Sequence, residues 1–91
     1  FLTPEYRPYC PDDKKQSVIE AVKREFETPY PVVNVDGVRV LFEDGWGLLR
    51  ASGTEEVLSL RFEARTEEAA LSYRQRMFEA LRRAYPGLEN L

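Results

Sequence analysis

Leu58-Ser59-Leu60-Arg61-Phe62-Glu63-Ala64-Arg65 decides the fold of this 91-residue chain. Leu58, Leu60, Phe62 and Ala64 alternate with Ser59, Arg61, Glu63 and Arg65. A period of two belongs to a strand with one face on a core and the other in water, because successive side chains of an extended backbone point to opposite sides. Upstream, Trp46-Gly47-Leu48-Leu49-Arg50 reads as a second strand, entered through a turn at Glu43-Asp44-Gly45. Before that, Val38, Val40 and Phe42 alternate with Arg39, Leu41 and Glu43. Asp36-Gly37 is the strongest hairpin signal in the chain, since both residue types tolerate positive φ. The β-branched run Val32 to Val35 supplies the remaining strand.

Helical patterns flank this run. Asp12 and Asp13 precede the first, with Gln16 three after Asp13 as in a capping box. Val18, Ile19, Val22 and Phe26 make its apolar stripe, and Lys14, Lys15, Lys23 and Arg24 are assigned to its wet face. Thr28-Pro29-Tyr30-Pro31 stops it, because a residue before proline is pushed out of the α region. Thr66 caps the second helix, and Glu67 and Glu68 in its first turn complement the macrodipole. Ala70, Tyr73, Met77, Leu81 and Ala84 form the inward stripe with Phe78 beside them, and Pro86-Gly87 ends the helix. The order is helix, four antiparallel strands, helix. Both helices must cover the same apolar sheet face, which gives a two-layer α+β domain.

Composition narrows the function classes. The length allows one core, and an apolar fraction of 43% with five Phe and five Tyr is that of a folded chain. A net charge of −3 argues against nucleic acid and anionic membranes as partners, but leaves room for a local anion site. Histidine is absent, which removes the commonest general base and zinc ligand. Cys10 stands alone, so no internal disulfide forms and a cytoplasmic location is the expectation. No apolar run approaches the length of a membrane span. Pro4, Pro8 and Pro11 mark residues 1–11 as a linker from a preceding domain, leaving 12–91 as the domain proper.

Between the third and fourth strands lies Arg50-Ala51-Ser52-Gly53-Thr54-Glu55. Arg50 offers a forked, permanently charged set of donors that matches phosphate oxygens. Ser52 and Thr54 add hydroxyls, and Gly53 lets the backbone approach an anion closely. Ser52-x-x-Glu55 also fits a capping box, but the period of two that follows excludes a helix there. A polar hairpin turn without a ligand explains the same residues, and both readings stand. Elsewhere, Glu55-Glu56, Glu67-Glu68 and Asp12-Asp13 read as solvated or capping carboxylates. Trp46 reads as core rather than as a platform for a sugar. Cys10 has no partner base and reads as a bystander.

Asp36-Gly37-Val38-Arg39-Val40, Gly45 through Thr54, and Leu60-Arg61-Phe62-Glu63-Ala64 together resemble the C-terminal, fourth domain of the α-D-phosphohexomutases, in particular the phosphomannomutase/phosphoglucomutase group. Thr3-Pro4-Glu5 is similar to that family's lead-in to the same domain. The resemblance implies a TATA-box-binding-protein-like domain of four antiparallel strands and two helices. It also implies that Arg50, Ser52, Gly53 and Thr54 bind the non-reacting phosphate of a hexose phosphate during reversible 1-/6-phosphoryl transfer. It places the reacting phosphoserine and a magnesium ion in other domains. The motifs of those domains are not in these 91 residues, so the isolated domain is expected to be inactive and to hold no cofactor. The family usually carries a proline where this chain has Glu56. The competing expectation is a free-standing protein-interaction module that kept the fold without catalysis and used the outer face bearing Arg61, Glu63 and Arg65.

Overall fold

A computed structural model describes residues 1–88, and positions 89–91 of the expected domain lie outside the described residues. The elements run α1 (Lys15–Glu27), β1 (Val32–Val33), β2 (Val38–Phe42), β3 (Gly45–Ala51), β4 (Leu58–Ala64) and α2 (Glu67–Ala84). The strands form one antiparallel sheet in the order β1-β2-β3-β4, as expected from the sequence. Both helices lie on one face. Val18, Ile19, Val22 and Phe26 of α1 join Ala70, Tyr73, Met77, Phe78 and Leu81 of α2 over Val38, Val40, Leu49, Leu58, Leu60 and Phe62 of the sheet. Burial of these side chains drives the assembly.

Close approach of α2 to the sheet depends on Gly47. A Cβ there would stand 2.6 Å from the Met77 sulfur and 2.9 Å from the Phe62 ring. At the far end of the layer, Phe42 stacks on Tyr73 with ring centroids 4.4 Å apart and planes at 10°. The Tyr73 hydroxyl in turn accepts a hydrogen bond from the Asp44 amide at 2.9 Å, tying the β2–β3 turn to the helix. Thr66 caps α2 by accepting from the Ala69 amide at 3.1 Å.

Four details differ from the sequence reading. The Asp12/Asp13 capping box does not form: α1 starts after Lys14, which gives no side-chain cap. Asp12 instead pairs its carboxylate with the Lys15 ammonium at 2.6 Å. Lys15 is not on the wet face but is buried at 5% exposure, because acceptors below the helix satisfy it. β1 is only Val32–Val33, and Val35 is exposed. The register pairs Val33 with Arg39, so residues 34–37 make a four-residue connection with Asp36 at φ 55° and Gly37 at φ 111°. Trp46 is not core. It pairs with Leu41 and Glu63 on the face the helices leave uncovered, where its indole N–H donates to the Glu63 carboxylate at 3.0 Å and the Arg39 guanidinium lies 4.9 Å from its ring.

The first ten residues run antiparallel along the free edge of β4. Thr3 N donates to Phe62 O at 2.9 Å, Tyr6 and Leu60 exchange bonds at 2.8 and 2.9 Å, and Leu58 N donates to Pro8 O at 2.9 Å. Thr3, Pro8 and Cys10 are buried in this seam. It covers the edge that β4 would otherwise leave open to another chain. Among the described residues, no helix is long and apolar enough to cross a membrane.

Candidate functional site

Arg50 is the penultimate residue of β3 and lies opposite Ser59 of β4. The alternation that buries Leu49 turns Arg50 to the uncovered face of the sheet, where its side chain is 48% exposed. Next to it is a cleft of about 290 Å³ lined by Glu5, Arg7, Asp36, Arg50, Ala51, Ser52, Gly53 and Ser59. Three segments therefore meet here: the N-terminal segment along β4, the β1–β2 connection, and the β3–β4 loop.

Each wall has an identifiable support. The β1–β2 connection reaches Arg50 because Gly37 has no side chain: a Cβ there would sit 2.6 Å from Leu49 O and 2.7 Å from the Arg50 Cβ. That contact brings the Asp36 carboxylate to 3.5 Å from the Arg50 guanidinium. The pair is solvated, with Asp36 84% exposed. Such pairs contribute only about 0–1 kcal/mol, so an incoming anion can displace the carboxylate at small cost.

The β3–β4 loop is held from beneath and within. The Ser52 amide donates to Val57 O at 3.1 Å, which closes the loop at its base. The Ser52 hydroxyl oxygen accepts from the Thr54 and Glu55 amides at 3.3 and 3.1 Å, and its proton remains available for donation. From below, the Lys15 ammonium donates to Ser52 O at 2.9 Å and Glu55 O at 2.7 Å. Glu56 ties the loop to the N-terminal segment. Its carbonyl accepts from Cys10 N at 2.9 Å and its carboxylate from Asp12 N at 3.3 Å.

Of the residues singled out from sequence, Arg50, Ser52 and Gly53 come together on the cleft wall, whereas Thr54 lies beyond its lining. Gly53 has a negative or extended φ, and a Cβ there would meet nothing within 4 Å. The fold itself therefore makes no demand for glycine at this position, and what the missing side chain leaves open is access to the backbone from outside. Arg7, Lys15, Glu5 and Ser59 were not found by sequence reasoning. Their signal is long-range: Arg7 and Glu5 reach the site through pairing of the N-terminal segment with β4, which no local period announces.

The electrostatics are those of a paired arginine cluster. The Ser59 hydroxyl donates to the Glu5 carboxylate at 2.5 Å. That bond, assisted by Arg7, Arg61 and Arg50, holds the Glu5 carboxyl below its ordinary range against the upward push of desolvation. Arg7 donates to the Glu55 carboxylate at 2.5 Å. Ser59 is paired with a carboxylate, but Glu5 is held below its ordinary range and is a weak base, so the chemistry the cleft offers is to bind and orient an anion. Cys10 is buried in the seam, and desolvation raises its thiol pKa, which disfavours the thiolate. Among the described residues, no group of three or more histidine, cysteine, aspartate or glutamate side chains could hold a metal ion.

Comparison with known proteins places the chain in a family. Residues 8–80 match the family described as phosphoglucomutase/phosphomannomutase, C-terminal domain. The phosphoglucomutase of Neisseria meningitidis serogroup B is 43% identical over 89 residues, covering 94% of this chain and 19% of the relative. The phosphomannomutase/phosphoglucomutase of Pseudomonas aeruginosa is 48% identical over 67 residues, covering 72% of this chain and 14% of the relative. A crystal structure of a phosphoglucomutase/phosphomannomutase family protein from Burkholderia thailandensis superimposes with a TM-score of 0.79 at 32% identity, over 98% of this chain and 19% of that one. The chain thus spans about a fifth of the length of such relatives.

Proposed function

Because the chain belongs to the phosphoglucomutase/phosphomannomutase C-terminal domain family, we propose that it clamps the non-reacting phosphate of a hexose phosphate for a phosphohexomutase. Arg50, Ser52, Gly53 and Thr54 are the residues assigned to the phosphate. The observation that carries the reading is the position of Arg50, half exposed beside a cleft that also holds the Ser52 and Ser59 hydroxyls and the uncovered backbone at Gly53.

The chemistry of that set suits phosphate and is indifferent to the sugar. A guanidinium fork and hydroxyl donors satisfy phosphate oxygens and make no demand on the ring. In the proposed reaction, a phosphoserine elsewhere in the enzyme gives its phosphoryl group to the free hydroxyl of a hexose 1- or 6-phosphate. The resulting bisphosphate reorients, and its other phosphate returns to the serine. This domain would hold whichever phosphate is not reacting, so a site blind to the sugar serves both orientations. Holding one end fixes the other in line for transfer. Closure over the ligand would also keep water from the phosphoryl group. By the family resemblance magnesium would belong to other domains, and no step attributed to this chain runs through it.

Titrating the chain with inorganic phosphate while following backbone amides tests the reading directly. Saturable shifts confined to Arg50 through Glu55 and the facing N-terminal segment are expected. In the longer enzyme, Arg50→Ala should lower kcat/KM by on the order of a hundredfold or more, as for loss of a charge-stabilising donor in a closed site. An unchanged kcat/KM would overturn the assignment.

A further inference from the structure

The cleft holds a second arginine that the loop motif does not include. Arg7 lines the same cavity as Arg50, Ser52, Gly53 and Ser59. Its backbone is fixed on both sides: Tyr6 exchanges two hydrogen bonds with Leu60, and Pro8 O accepts from Leu58 N. The Arg7 side chain is 44% exposed and engages one partner, the Glu55 carboxylate on the β3–β4 loop, itself 60% exposed.

We propose that Arg7 is a second guanidinium of the phosphate site, so that the anion is gripped between Arg7 on the N-terminal segment and Arg50 on β3. The proposal rests on the phosphate-clamp reading above and assigns it a residue outside the β3–β4 loop. Two features carry it. The first is placement: the two forks come from different walls of one small cleft, with the Ser52 and Ser59 hydroxyls also on its lining. A phosphate has more acceptor sites than one guanidinium can fill, and a second fork uses those that remain.

The second feature is what each arginine does without a ligand. Arg50 is paired with Asp36 and Arg7 with Glu55, and both carboxylates are mostly solvated. Exposed pairs are weak, so a phosphate dianion competes with each carboxylate on favourable terms. Glu5 differs, being bonded to the Ser59 hydroxyl and surrounded by Arg7, Arg61 and Arg50, and it stays to keep the cluster from self-repulsion. Phosphate entry would therefore exchange two outer carboxylates and leave the inner one in place. Transfer of Arg7 from Glu55 to the ligand also couples the loop to the N-terminal segment.

Amide NMR titrations with inorganic phosphate at fixed ionic strength test this on the wild-type chain and on Arg7→Gln, Arg7→Lys and Glu55→Gln. Arg7→Gln should weaken phosphate binding about tenfold, the scale of one charge-assisted hydrogen bond. Arg7→Lys should recover part of that loss. Glu55→Gln should tighten binding by a few-fold, because it releases Arg7 without touching it. That tightening separates a ligand-binding Arg7 from one that merely braces the loop, for which Glu55→Gln would weaken binding as much as Arg7→Gln. Such parallel weakening overturns the proposal. If Arg7→Gln binds within twofold of wild type while Arg50 through Thr54 still shift, Arg7 is excluded and the loop reading survives. An absence of saturable shifts in the wild-type chain removes both. Should Arg7→Gln fail to fold, Arg7→Lys and Glu55→Gln decide the matter alone.

Discussion

The Lys15 ammonium donates to the Ser52 carbonyl at 2.9 Å, joining the first turn of α1 to the β3–β4 loop across 37 positions of sequence. With Glu55 O at 2.7 Å and the Asp12 carboxylate at 2.6 Å, all three ammonium protons have an acceptor. A buried lysine is costly unless paired in this way, so the contact sets the height of the loop above the core.

Lys15→Met keeps the aliphatic stem and removes the donors. Two loop carbonyls then lose their partner, and a loss of roughly 2–3 kcal/mol is expected from hydrogen bonds to a charged group. Urea denaturation measures it. Hydrogen exchange should localise the loosening to residues 52–57, and a change below about 0.5 kcal/mol, the range of an ordinary surface substitution, would show that the ammonium is not a support.

Glu5 gives stability a pH dependence whose sign follows from its surroundings. The Ser59 hydroxyl and three arginines hold its folded-state pKa below the ordinary 4.5. Above that value the carboxylate is ionised in both states and its stabilisation is fully present. As pH falls through the lower folded-state value, the proton binds and the stabilisation disappears. Wild type should therefore melt above Glu5→Gln at pH 7, and the gap should shrink as pH falls below the ordinary 4.5 and through the lower folded-state value. A gap that widens on acidification would contradict the assigned cause.

Much of this architecture is legible because local periods and the global fold agree. The alternation of Leu58 to Arg65 and the stripe from Ala70 to Leu81 each point to the face that the structure buries. Trp46 escaped because the first half of β3 inverts the usual pattern: its inward positions there are Gly45 and Gly47, while Trp46 and Leu48 face outward, and only at Leu49 does an apolar side chain turn in. Only the packing of Met77 and Phe62 over Gly47 reveals why the small residue is inside. Lys15 escaped for a similar reason, since a helix-face pattern cannot show that loop carbonyls wait beneath. At the site, Arg50, Ser52 and Gly53 form a local motif and could be read. Arg7 and Glu5 meet them only through pairing of the N-terminal segment with β4, across 48 positions to Glu55 and 54 to Ser59, and Ser59 itself comes opposite Arg50 through the β3–β4 register.

Asp36 and Gly37 should separate cleanly by substitution. Asp36→Asn keeps a residue tolerant of the φ of 55° and removes the carboxylate from Arg50. Stability should change by less than about 0.5 kcal/mol, the scale of an exposed pair, while phosphate affinity rises. Gly37→Ala places a Cβ against Leu49 O and the Arg50 Cβ at a φ of 111°. It should cost about 1–3 kcal/mol and weaken phosphate binding by displacing Arg50. Equal effects of the two substitutions on stability, read by thermal melts, would contradict this division.

Gly47 and Gly53 make the sharpest contrast, because the fold needs one and makes no demand for the other. Gly47→Ala drives a methyl to 2.6 Å from the Met77 sulfur, and overpacking of this kind costs about 1–3 kcal/mol. Phosphate binding should survive it, since the site lies at the other end of β3. Gly53→Ala meets open space and should leave the melting temperature unchanged. If phosphate approaches the loop backbone, that same methyl stands in its path, and affinity should fall with no loss of stability. Calorimetric binding and melting measured on both variants give four numbers. The crossed pattern is expected, and an alanine at 53 that binds phosphate like wild type would remove Gly53 from the site.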